Sequence, residues 1–74
     1  MHYEVQVSKL SDGIWHTIYV SEDDSLRSKS SALSVYLNPQ QRGGSDGLGW
    51  AKRLLFVHVI EDDDTLAESY IKIF

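Results

Sequence analysis

The stretch RGGSDGLGWAKR, residues 42 to 53, is where chemistry is sought first: four of the seven positions from 43 to 49 are glycine, and Trp50, Lys52 and Arg53 follow at once. A Walker-type phosphate loop needs G-x-x-x-x-G-K-[ST], whose backbone amides wrap the phosphates while the lysine reaches them. Gly44 and Gly49 have that spacing, but Trp50 and Ala51 stand where the lysine and the metal-binding hydroxyl belong. The dinucleotide pattern G-x-G-x-x-G begins at Gly47 and Gly49 and then meets Lys52. It also lacks the preceding strand that such a loop requires. Phosphate cradling is therefore not expected. The segment 40–50 reads as a flexible Gly-rich connection, longer than most. What remains is Trp50 with cations beside it. Such a group can stack on a base and hold its phosphate, anchor a protein interface, or fold back over the core.

Other chemistry fares no better. His16 and His58 would need paired strands, with Glu4 as a third ligand, to make a zinc site. No local histidine pair exists, so no metal and no cofactor is expected. Both histidines read as ordinary strand residues, with titration near neutrality as their one special property. The acidic runs Glu22-Asp23-Asp24 and Glu61-Asp62-Asp63-Asp64 lack the glycine and terminal glutamate of a calcium loop and read as solvated turns. The chain has no cysteine, and no serine lies in G-x-S-x-G, so no catalytic residue is nominated and a non-enzyme is expected.

The elements that would position these residues are clearer. Tyr3, Val5 and Val7 alternate with Glu4, Gln6 and Ser8, the period of a half-buried strand over 3–9. Ser11-Asp12-Gly13 supplies a turn, and IWHTIYV, residues 14–20, makes the second strand. Leu26, Leu33 and Leu37 recur at helical spacing, with serines available as caps and Pro39 as a stop. They predict a helix of about 10 residues ending near Asn38. A strand through Leu33, Val35 and Leu37 is its rival. RLLFVHVI, residues 53–60, is a continuous apolar run suited to burial on both faces. LAESYIKIF, residues 66–74, alternates as a last strand.

The expected fold is α+β: a single small domain over 1–74 with ββαββ order, a four-stranded antiparallel sheet carrying one helix on one face. Seventy-four residues give a thin core, so a partner chain is a natural support. One helix covers one side only. Tyr3, Val5, Val7, Ile14, Ile18, Val20, Leu55, Val57, Val59, Ile71 and Ile73 are assigned to the helix side. Trp15, Thr17, Tyr19, Leu54, Phe56, His58, Ile60, Tyr70 and Phe74 are assigned to the open side. So much apolar surface on a wet face marks an interaction site.

The expected function is a small non-enzymatic protein-interaction module, of the accessory or inhibitor type that phages and other mobile elements encode. It would bind a macromolecular partner or itself, as a homodimer. The partner-binding residues are Trp15, Tyr19, Phe56 and Tyr70 on the sheet, with Trp50, Lys52 and Arg53 on the loop. The alternative is an RNA- or ssDNA-binding module using the same sheet aromatics and loop. Against it stand 11 acidic residues to 7 basic, the reverse of a nucleic-acid footprint. MHYEVQV has no basic region followed by an apolar block, so no signal peptide is expected. No apolar run approaches a membrane span. A cytoplasmic protein without membrane contact is expected.

Overall fold

The computed structural model describes residues 1–9, 11, 13–38, 50–62 and 65–74, with 50, 60–62 and 65–67 described by their backbone. The elements are β1 (His2–Lys9), β2 (Trp15–Val20), α1 (Leu26–Leu37), β3 (Trp50–Asp62) and β4 (Thr65–Lys72). The sheet order is β2-β1-β3-β4, and every neighbouring pair is antiparallel. This is the expected ββαββ chain with one helix and a four-stranded sheet. Among the described residues no helix is long and apolar enough to cross a membrane.

Local chemistry explains each junction. Gly13 adopts φ 68° and its N–H donates to Lys9 O at 3.0 Å, which closes the β1–β2 turn. Ser21 ties β2 back to β1: its N–H donates to Tyr3 O at 2.9 Å, and its hydroxyl accepts from Tyr3 N at 2.7 Å. Helix α1 then starts at Ser25, whose extended backbone and hydroxyl cap the Ser28 N–H at 3.2 Å. The Asp23 carboxylate accepts from Ser25 N, Ser25 Oγ and Ser28 Oγ at 3.0, 2.7 and 2.6 Å. Asn38, extended ahead of Pro39, ends the helix. This capping decides between the helix and its rival strand.

The helical stripe differs from expectation. Leu26 and Leu37 are 85% and 64% exposed, while Ala32 is the residue that is wholly buried. Leu33, Val35 and Tyr36 pack around it against Tyr3, Val5 and Leu54. A small residue at the closest approach lets the helix backbone come down onto the sheet, and the larger side chains fill the flanks.

The faces of the sheet also need correction. Tyr3 lies opposite Phe56 and Val5 opposite Leu54, so Leu54 and Phe56 face the helix while Leu55, Val57 and Val59 face the open side. The run RLLFVHVI carries no polar alternation, so its own sequence holds no record of which side is which; the register with β1 sets it. In β2 the register shifts between Val5 and Gln6, which pair with Tyr19 and Thr17 and leave Ile18 as the extra residue. That bulge reverses the alternation. Trp15 and Thr17 stay on the open side as expected, but Tyr19 packs against the core and Val20 turns outward beside Glu4. Phe74, expected outside, stacks on Tyr36 of the helix with ring centroids 5.7 Å apart.

Two further boundaries move. Strand β3 is 13 residues long and begins at Trp50, so Trp50 opens a strand. The remainder of the expected glycine loop, 40–49, lies outside the described residues, as do Asp63 and Asp64 of the second acidic turn; Glu61 and Asp62 belong to β3 and Thr65 to β4. Strand β1 ends opposite Val57, so from His58 to Asp62 the β3–β4 hairpin runs on as a two-stranded arm. The helix lies over β1, β3 and β2, and leaves Ile71 of β4 56% exposed.

Candidate functional site

The open face carries a polar network at its centre and apolar groups around it. Strand β1 presents His2, Glu4 and Gln6, β2 presents Trp15 and Thr17, and β3 presents Arg53 opposite Gln6. The Arg53 Nε donates to Gln6 Oε1 at 2.7 Å. Gln6 Nε2 donates to Thr17 Oγ1 at 3.1 Å and to Glu4 Oε1 at 3.3 Å. The Thr17 hydroxyl donates to Glu4 Oε1 at 3.1 Å, and His2 Nε2 lies 2.8 Å from Glu4 Oε2. Each group holds the next. Among the described residues no buried side-chain nitrogen or oxygen lacks a partner.

Electrostatics follow from these contacts. Burial is the largest single influence on the Glu4 carboxyl and pushes its pKa up. Hydrogen bonds from His2, Thr17 and Gln6 together outweigh burial and hold it below the ordinary value. Both Glu4 oxygens are engaged as acceptors. An ionised, fully engaged carboxylate positions its neighbours; it is not poised near neutrality to accept a substrate proton.

Arg53 joins the network to the nearest aromatic. Its guanidinium carbon sits 3.9 Å from the Trp15 ring centroid, a close cation–π contact. The apolar surround comes from Trp15 (37% exposed), Val20 (55%), Val59 (38%) and Tyr70 (51%). Beneath them Leu55 and Val57 are buried. Tyr70 lies opposite Val57 and donates its hydroxyl proton to Glu68 Oε2. That hydrogen bond pushes the Tyr70 pKa above its ordinary value.

The nominated partner-binding residues are thus divided. Trp15, Arg53 and Tyr70 share the open face. Tyr19 and Phe56 pack against the core on the helix side, with Phe56 edge-on to Tyr3 at 5.5 Å. Lys52 and Arg53 are consecutive in a strand and so face opposite sides. Lys52 donates to Tyr36 O at the helix end and lies 5.0 Å from the Tyr36 ring centroid. The Lys52–Arg53 pair is therefore split, and the Trp50 side chain lies outside what is described. His16 and His58 are kept apart by β1, which lies between their strands. Among the described residues no three His, Asp or Glu side chains gather as a metal site would need. Sequence reasoning weighed Glu4 only as a third zinc ligand and passed over Gln6 and Thr17. The signal for Glu4 and Gln6 was the polar alternation of β1, Glu4 then Gln6 then Ser8, which puts three hydrogen-bonding groups on the same side; Thr17 joins them only through the β1–β2 pairing.

No protein family, curated protein or solved structure matches the chain.

Proposed function

We propose that the protein is a small, non-enzymatic interaction module that binds a protein surface through its open sheet face, in a cytoplasmic setting. The observation that carries this reading is the exposure of Trp15, Val20, Val59 and Tyr70 on a face that the helix does not cover. Solvent-facing apolar side chains grouped around an ordered polar centre have the make-up of an interface, in which aromatic and arginine anchors carry most of the binding energy. Trp15 and Arg53 are the anchors, and Tyr70 is the contact at the other end. The Glu4–Gln6–Thr17 network keeps Arg53 and Trp15 in place, so little side-chain freedom is lost on binding.

The test is Trp15→Ala, at a half-exposed position. The variant is expected to keep its far-UV circular dichroism and to lose at least tenfold in affinity for whatever protein, second copy or foreign chain, the wild type binds. Unchanged binding would remove the open face from the proposal. A labelled single-stranded RNA serves as the control. Salt-sensitive binding that depends on Arg53 would establish the nucleic-acid alternative instead.

A further inference from the structure

We infer that the outer edge of β4 is a self-recognition edge, pairing antiparallel with β4 of a second copy about Tyr70. The proposal deepens the interaction-module reading and rests on it.

The sheet has two edges, β2 and β4. Strand β2 is distorted by its bulge at Ile18. Strand β4 keeps an unbroken register with β3 from Asp62↔Thr65 to Leu55↔Lys72. A regular edge offers a row of backbone donors and acceptors to another strand. The N–H of Ile73 donates to Leu54 O, toward β3. By the alternation of an antiparallel ladder, Glu68, Tyr70 and Lys72 turn their backbone groups outward.

The charges select the occupant. Glu68 and Lys72 stand two positions to either side of Tyr70, and all three share the open face. Pairing two copies of β4 about Tyr70 sets Glu68 opposite the second copy's Lys72, twice by symmetry, with Tyr70 opposite Tyr70. Isolated charges on an edge usually oppose strand addition. Placed symmetrically with opposite sign about Tyr70, they favour one register of self-pairing. Sliding the pairing by two residues either way loses both ion pairs. Tyr70 donates to Oε2 of Glu68, and the second copy's lysine would approach Oε1. Lys72 has no side-chain partner among the described residues. The product is an eight-stranded sheet with both open faces on the same side.

The test uses the full chain with Glu68→Lys, Lys72→Glu and an equimolar mixture of the two, followed by sedimentation from micromolar to millimolar concentration. The wild type is expected to dimerise. Each single reversal puts like charges opposite each other at two places and weakens the dimer about tenfold. The mixture is expected to dimerise at least as tightly as the wild type, because one chain then carries two positive charges and the other two negative. A wild type that stays monomeric to millimolar concentration overturns the proposal, and so does a mixture no tighter than its components. A dimer indifferent to both reversals but lost with Trp15→Ala overturns edge pairing and leaves the interaction-module reading standing.

Discussion

Glu4 and Asp23 are both carboxylates among hydrogen-bond donors, and each is held ionised by them. Asp23 accepts from Ser28 and Ser25, which lower its pKa from 3.8 to about 2. A group whose pKa falls on folding stabilises the fold above its unfolded pKa, and that contribution is lost as pH drops through the folded value. Acid melting should therefore show a decline between about pH 4 and pH 2 that is smaller in Asp23→Asn, followed by circular dichroism. Glu4 adds a decline of the same sign, beginning below its ordinary value of 4.5. The cap shares in this pH dependence. Ser25→Ala removes the oxygen that holds the Ser28 N–H and that donates to Asp23, so it should cost about 1 kcal/mol in urea unfolding near neutral pH and less once Asp23 is protonated.

At the scale of elements, existence and type were legible, while orientation was not. Alternation in MHYEVQV and in LAESYIKIF named β1 and β4 and placed Tyr3, Val5, Tyr70 and Ile71 on their correct sides. The run through Leu54, Leu55, Phe56 and Val57 had no alternation to read, so its faces came out reversed. The bulge at Ile18 left no local mark, so Tyr19 was placed outside. In the helix, three leucines at the right spacing suggested a stripe, but contact with the sheet was made where the side chain was smallest. Trp15 and Tyr70 could be nominated from sequence because aromatic side chains are conspicuous on a strand, and Arg53 as a cation near Trp50; Gln6 and Thr17 resemble any polar strand residue until the pairing brings them together. The corrected helix face makes a mutational prediction. Leu26→Ser and Leu37→Ser should each change stability by less than about 0.5 kcal/mol. Ala32→Leu should cost about 1–3 kcal/mol by overpacking the closest approach to Val5 and Leu54, and the same urea series decides it.

For the molecule as a whole, the two layers are unequal. The helix covers three strands, while the open face relies on one polar network and on Leu55 and Val57 beneath their neighbours. Among the described residues the β3–β4 arm beyond Val57 has no third strand beside it. A two-stranded hairpin is marginal in water, so the arm should open more often than the sheet it extends from. Amide hydrogen exchange in dilute solution should therefore be at least tenfold faster from His58 to Ile60 than from Leu54 to Val57. The same experiment reads the β4 edge. In a monomer the outward N–H groups of Glu68, Tyr70 and Lys72 meet water, while those of Ser69 and Ile71 turn toward β3. Raising the protein concentration should slow exchange at 68, 70 and 72 and leave the Trp15–Val20 edge unchanged. Protection that rose instead along β2 would place the second copy on the opposite edge. Protection without any concentration dependence would mean that the outward row of β4 meets no second chain.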